Sequence, residues 1–312
     1  MIEEINDSHI ESKIKNCQAV KSMFDEMRIS KKLKELNWAV TDNPYYQDVE
    51  SGKFRELDVF GRLGLQLKNK NLDYDLLLLV ESKSVNDYHI LFSNSERFIS
   101  SELDRDWLGD HIEKKGEVFA ALKKVGFSDD DIDNLFEMVR DSFYPNESWI
   151  FSELQYSFFT RLESYYSFRE TNLGVVKELN NSVVWKAFQE LLTVNKSIRK
   201  RHLSNMVEDL LYYIEKKEGP TPVDSAFACL QNYLRSVSYI HPVLVVDSSL
   251  WKLEGEGDVS KIEYARLLQT DLYGANYFWI DIVNRGSFET YIEAVTNHTK
   301  QFYNHLREKS NA

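Results

Sequence analysis

The sequence predicts an α/β fold: a mixed central sheet with mostly antiparallel edges, flanked by an N-terminal and a C-terminal helix and interrupted by a large α-helical insertion. Three observations carry this expectation. An opening helical pattern is followed closely by three β-rich runs; helical periodicity then takes over from about 95 to 235; two further β-rich runs and a closing amphipathic helix complete the chain. The same order divides the chain into residues 1–95, the N-terminal half of the core, 96–235, the insertion, and 236–312, the C-terminal half.

Residues 11–36 place Ile14, Cys17, Val20, Phe24, Ile29, Leu33 and Leu36 mostly at helical spacing, without Pro or Gly. This is one amphipathic helix, with room for a break near residue 22. "NWAV" (37–40), "GKFRELDVFGRLGLQLK" (52–68) and "YDLLLLVESK" (74–83) are rich in β-formers and are separated by the turn candidates "DVESGK" and "NKNLD". "YHILF" (88–92) is a further strand or a continuation of the third. In the insertion, "EVFAALKKVG", "DIDNLFEMVRDSF", "SELQYSFFTRLESYYSF" and "HLSNMVEDLLYYIEKK" read as helices, and Gly219, Pro220 and Pro222 make "KKEGPTPVDS" (216–225) a loop. "HPVLVVDSSLW" (241–251) and "NYFWIDIV" (276–283) return to strand character, and "SFETYIEAVTNHTKQFYNHLRE" (287–308) is the closing helix. No internal repeat or low-complexity segment is visible.

Hydrophobic residues make up 43% of the 312, enough for one large core or two moderate ones, which excludes a disordered chain. Lys and Arg number 38 against 50 Asp and Glu, so the surface as a whole does not attract a polyanion. Any nucleic-acid contact needs a local basic patch or bound metal ions. The two cysteines, Cys17 and Cys229, lack metal-ligand spacing and argue against a disulfide framework, which fits a reducing cytoplasm. The acidic start "MIEEINDSHIESKIK" is unlike a signal peptide, and no run approaches the roughly 18 apolar residues of a membrane span. A cytoplasmic protein without a membrane partner is expected.

Acids within the β-rich runs point to chemistry. Asp58 lies in "GKFRELDVFG" (52–61) and Glu81 near the end of "LLLLVESK" (76–83); if these strands form a hairpin, both carboxylates meet at one end of the sheet. Glu81 and Lys83 share one face of their strand and Ser82 takes the other. Two carboxylates with a nearby backbone carbonyl suit Mg²⁺ or Mn²⁺, which neutralises phosphate, lowers the pKa of bound water and stabilises charge on a phosphodiester under attack. A lysine beside it can position the attacking water.

On these residues the sequence resembles the PD-(D/E)xK, or restriction-endonuclease-like, nuclease superfamily, in which a helix acid precedes an Asp on the second strand and an acid-x-Lys on the third. "RELDV" with Asp58 matches the second-strand element, and "LLLLVESK" with Glu81 and Lys83 matches the third. "EMRISKKLKELNW", with Glu26, Ile29, Leu33, Asn37 and Trp38, is similar to the acid, apolar, apolar, small-turn rhythm of the helix. Asn37 departs from the usual glycine, although Asn also tolerates a left-handed turn. "ESKSVNDYHILF", "HPVLVVDSSLW" and "NYFWIDIV" resemble the family's later segments, so the likeness spans residues 20–95 and 236–308 and leaves the helical middle without a counterpart. It implies Mg²⁺-dependent (or Mn²⁺-dependent) hydrolysis of phosphodiester bonds in nucleic acid, DNA rather than RNA. Asp58, Glu81 and the Ser82 carbonyl would bind metal, Glu26 would complete or support that shell, and Lys83 would orient and activate the water. Ser82 stands where an apolar residue or Cys is more frequent, but that position supplies mainly a backbone carbonyl.

Structural alternatives stand beside each role. Asp58 could be an edge acid paired with Arg55 or Arg62, Glu81 and Lys83 a surface ion pair, and Glu26 a helix residue facing water or pairing with Ser30. Glu56 and Asp48 read as surface residues, Asp247 as a strand-end cap or turn former, and His241 as the lead-in to a strand. The basic run "KSIRKRH" (196–202), with Lys196, Arg199, Lys200 and Arg201, is a phosphate-binding helix or the solvated face of a long one. "YSFFTRLESYYSF" (156–168) fits a helix core better than a base-stacking platform. At the level of the whole chain, the alternative is an inactive nuclease-fold module that binds nucleic acid or a partner protein through its insertion. That insertion could also support a homodimer.

Overall fold

A computed structural model describes residues 11–14, 17–67, 72–85, 87–96, 115–139, 164–216, 219–254, 257–270 and 277–311. Helix α1 (Gln18–Glu35) begins just after Cys17 and runs unbroken through residue 22. Ile29 and Leu33 form its buried face. The helix ends where Asn37 takes a left-handed backbone (φ 68°) and the Trp38 amide donates back to the Leu33 carbonyl at 3.1 Å. Asn37→Ala is therefore expected to cost about 1–2 kcal/mol, because a Cβ without a local polar partner disfavours this region. Asn37→Gly should be tolerated; urea unfolding of the two variants checks both expectations.

Among the described residues, ten strands form one mixed sheet: in spatial order β1 (Ala39–Asp42), β4 (Val59–Leu67), β5 (Leu72–Lys83), β8 (Ser236–Val246), β12 (Tyr277–Asn284), β11 (Tyr264–Thr270), β7 (Ser164–Thr171), β6 (His89–Glu96), β9 (Leu250–Glu254) and β10 (Asp258–Ile262). A separate hairpin joins β2 (Tyr45–Gln47) to β3 (Phe54–Glu56). β4 and β5 are antiparallel, in register from Val59 opposite Val80 to Leu67 opposite Leu72. β5, β8 and β12 run parallel, so their C-terminal ends lie together.

Helices cover both faces of the central strands, which is why "LLLLV" is continuously apolar instead of alternating. Leu78 and Val80 pack toward α1 and α6 (Phe288–Asn311), against Ile29, Leu33, Ile292 and Val295. Leu79 faces the other way, in a cluster with Ala187 and Leu191 of α4 (Val183–Lys216). A third cluster joins α2 (Lys115–Lys124), α3 (129–139), the second half of α4 and α5 (Pro222–Arg235) through Leu122, Leu135, Met206, Leu210 and Cys229. No helix among the described residues is long and apolar enough to cross a membrane.

Several elements differ from expectation. The run 52–68 is two strands, and Asp58 sits in the bend just before β4 instead of within a strand. The run 241–251 is also two strands, parted at residues 247–249, where Asp247 accepts from the Val85 amide at 2.9 Å and so fixes the exit from β5. Within the expected helical insertion, Ser164–Thr171 forms β7 of the main sheet; residues 156–163 of the expected helix lie outside the described residues. β9, β10 and β11 divide a region in which the sequence pattern suggested a strand only at its start.

Inside the first core, Asp281 on β12 receives two bonds from Arg266 of β11, at 2.7 and 2.9 Å, and one from the Tyr291 hydroxyl at 2.6 Å. His241 stands within β8, not ahead of it, and its Nε2 lies 2.6 Å from the same hydroxyl. All four side chains are buried. Burial alone would raise the Asp281 carboxyl's pKa, but Arg266 and His241 hold it well below the usual range, so this is a buried ion pair with its oxygens satisfied.

Candidate active site

The end of the β4–β5 ladder determines where the acids meet. The last described pair is Val59 opposite Val80, so the next residues, Asp58 and Glu81, come together just past it. The chain entering β4 is held by two backbone bonds, Asn43 N–H to Asp58 carbonyl and Leu57 N–H to Pro44 carbonyl, each 3.0 Å. Asp58 then turns its carboxylate onto β5, where Oδ2 accepts from the Ser82 amide at 2.7 Å. Beyond the ladder that amide needs an acceptor, and the carboxylate provides it.

Lys83 Nζ is the centre of the group. It lies 2.5 Å from Glu81 Oε2, 3.7 Å from Glu190 Oε2 and 3.9 Å from Asp58 Oδ2. Glu81 is almost completely buried, whereas Lys83 is partly open to solvent. Burial, then the charge of Asp58, push the Glu81 carboxyl up to about 8 against the pull of Lys83. Burial alone would lower the Lys83 pKa, but the charges of Glu81, Asp58 and Glu190 and the bond to Glu81 outweigh it and raise the value. Lys83 is thus an ammonium at neutral pH. Tyr46 of β2 is close enough that burial and the charges of Glu81 and Glu190 raise its phenol to about 12.

Asp58, Glu81 and Lys83, all expected from the sequence, converge, and Ser82 joins them through its amide. Arg55 and Arg62, the alternative partners for Asp58, pair with Asp48 and Asp75 instead. Asp48 is accordingly buried, contrary to its reading as a surface residue, because it also caps the turn at residues 49–51. Glu56 is exposed as expected. Glu26 accepts from Ser22 at 3.1 Å instead of pairing with Ser30, and it lines a cleft of about 630 Å³ together with Met23, Met27, Asp42 and Asn43, a cleft that Asp58, Glu81 and Lys83 do not line. Burial, followed by the charge of Asp58, raises its pKa, so Glu26 is within electrostatic reach of the group.

The basic run lies on α4. Lys196 pairs with Glu50 at the β2–β3 turn, 3.1 Å away, and Arg199 donates to Asn195 on its own helix at 2.7 Å; Lys200 and Arg201 are exposed. Lys196 follows Glu190 along that helix by a rise of about 9 Å. Glu190 is a member of the site that sequence reasoning missed. No local signal marks it: Glu190 is an ordinary polar position on a long helix, and its place beside the end of β5 gives it a role.

A group with a raised pKa makes stability depend on pH. Glu81 holds a proton in the folded chain between its ordinary value of 4.5 and about 8, so its contribution to stability is complete below 4.5 and is lost as pH rises through about 8. Glu81→Gln should remove this decline, which amounts to at most about 1.4 kcal/mol per pH unit. Urea unfolding at a series of pH values, in EDTA, measures it.

No protein-family model, curated protein or solved structure matches this chain. Any functional reading therefore rests on the residues and their geometry.

Proposed function

We propose that this chain is a divalent-metal-dependent nuclease of the PD-(D/E)xK, restriction-endonuclease-like type, hydrolysing phosphodiester bonds in DNA. The observation that carries the reading is the convergence of Asp58, Glu81 and Lys83 at the C-terminal end of a buried central strand, in the order the resemblance implies. The preference for DNA over RNA rests on that resemblance alone; a cytoplasmic location rests on the two cysteines, which lack disulfide-framework or metal-ligand spacing.

The residues fit a hard cation. Among the described residues no group of three or more His, Cys, Asp or Glu side chains is arranged to hold a metal ion. Mg²⁺, however, is commonly held by one or two carboxylates, with waters and substrate phosphate completing its shell. Asp58 and Glu81 repel each other enough to help hold the Glu81 carboxyl at about 8, and a dication between them would relieve this strain better than a single lysine. Asp58, Glu81 and the Ser82 carbonyl would hold the ion, with Glu26 completing or supporting that shell. When bound, the ion would supply charge neutralisation at the phosphate and a more acidic water.

Lys83 has a defined part in this chemistry. Since it stays protonated, it acts as a cation and hydrogen-bond donor that orients the attacking water and stabilises charge on the phosphoryl oxygens; it does not abstract the proton. Substrate phosphates arriving at this acidic corner need cationic guidance, and exposed Lys200 and Arg201 on α4 are candidates for it.

The test is a cleavage assay on supercoiled plasmid, linear duplex and single strands with Mg²⁺, Mn²⁺ or EDTA, comparing the parent chain with Asp58→Ala. Metal-dependent cutting lost in the variant is expected; equal cutting by a pure Asp58→Ala sample would sink the assignment. One observation favours the inactive-module reading, namely that Lys83 already occupies Glu81 and leaves only a sparse metal-ligand set. Failure to cut any substrate, together with no heat on Mn²⁺ titration, would select it.

A further inference from the structure

Glu190 reaches the site from α4, outside every segment that carries the nuclease resemblance. Among the described residues, three carboxylates lie within 4 Å of Lys83 Nζ, but they are not equivalent. Glu81 is buried and in direct contact; Asp58 is committed through Oδ2 to the Ser82 amide; Glu190 is 40% exposed and stands 3.7 Å off, beyond hydrogen-bond distance. The ammonium therefore rests on a carboxylate that a divalent ion would share. Two cations a few ångströms apart in a partly desolvated site repel each other, so an ion between Glu81 and Asp58 drives the ammonium toward another acid. Among the described residues, the acid within 4 Å of Lys83 that is not an expected ligand is Glu190.

We infer that Glu190 is a positioning residue that receives the Lys83 ammonium when a divalent ion takes Glu81 and Asp58. The inference rests on the metal-dependent reading above. Closing the gap to Glu190 needs only a side-chain rotation by Lys83 or Glu190, and both are solvent-accessible enough to move. The displaced lysine would keep its charge partnered and remain beside the phosphate, where its role in orienting water requires it. The helical insertion would thus take part in the chemistry of the core, although it contributes no expected metal ligand.

The test uses the full-length chain and Mn²⁺ alone. Glu190→Gln, at a partly exposed position, should leave the circular dichroism spectrum unchanged. In titration calorimetry it should weaken Mn²⁺ binding by about two- to fivefold, the range for losing one partly exposed ion pair. Made in a Lys83→Met background, the same substitution should leave Mn²⁺ affinity unchanged, because no ammonium remains to be received. An equal loss in both backgrounds would make Glu190 a direct ligand and overturn the inference. An unchanged affinity for Glu190→Gln alone would overturn it as well. No Mn²⁺ binding by the parent chain would overturn the metal reading and this inference together, an outcome distinct from the other two. A structure of the Mn²⁺-loaded chain should show Lys83 Nζ hydrogen-bonded to Glu190 and released from Glu81.

Discussion

Lys83→Ala is expected to reduce metal-dependent cleavage by about 10²–10⁴-fold, the range for removing a charged group that orients a nucleophile or stabilises developing charge. The protein should stay folded. Lys83 is partly exposed, and its loss leaves Glu81 buried beside Asp58 without a cation, so the protonated form that Glu81 already favours at neutral pH is held more firmly and no bare buried charge results. The Glu81 carboxyl should then titrate higher than in the parent chain, where it stands at about 8, so metal binding near pH 8 should release more protons from the variant than from the parent. Two measurements on one sample check this: single-turnover cleavage, and calorimetry with Mn²⁺ in buffers of different ionisation enthalpy. Full cleavage by a folded Lys83→Ala protein would remove the lysine from the mechanism.

Arg266→Met should be strongly destabilising, costing about 3–5 kcal/mol. Arg266 is 1% exposed and supplies two of the bonds to Asp281; without it, a carboxylate buried between the sheet and α6 keeps, among the described residues, Tyr291 and His241. His241 is a poor substitute, because burial lowers its pKa and favours the neutral ring. The guanidinium also stacks over Trp279 with its centre 4.1 Å from the ring, a contact that methionine replaces only in part. A lower urea midpoint at unchanged slope is the expected signature. Replacing the pair together, as Arg266→Met with Asp281→Leu, should recover much of the loss, since no charge is then left unpaired.

The parts of the site that were legible in the sequence are those encoded in one strand. "LLLLVESK" is a buried strand that changes character within three residues, and a change of that kind at a strand end marks both the burial and the place where it stops. Asp58 was legible because the β4–β5 register is local, although a bend, not a strand, holds it. Glu190 was not, because its partner lies 107 positions earlier (190 minus 83) and helix periodicity says only that it is not core. β7 was missed for a related reason. "SYYSFRET" is covered unevenly on its two faces, so its burial does not alternate and the mixture of aromatics and charges resembles an amphipathic helix. Asp48 was misjudged because a buried carboxylate looks like any turn acid until Arg55 and the amides of residues 50 and 51 are seen around it.

The parallel pairing of β5 with β8 has a consequence for how this chain is made. Ser84, next to Lys83, bonds to Asp247, 163 positions later, and the whole length of β5 lies beside a strand that begins at Ser236. At a synthesis rate of about 5–20 residues per second, roughly 8–30 seconds pass between emergence of the two partners. During that interval β4 can cover one edge of β5, but the other edge, bearing the most apolar run in the sheet, has no native strand to pair with. Contacts so distant in sequence also slow folding, because a long loop must close before they form. The strand that carries Glu81 and Lys83 is thus also an aggregation hazard of the nascent chain, and expression at lower temperature or with added chaperones should raise the soluble yield.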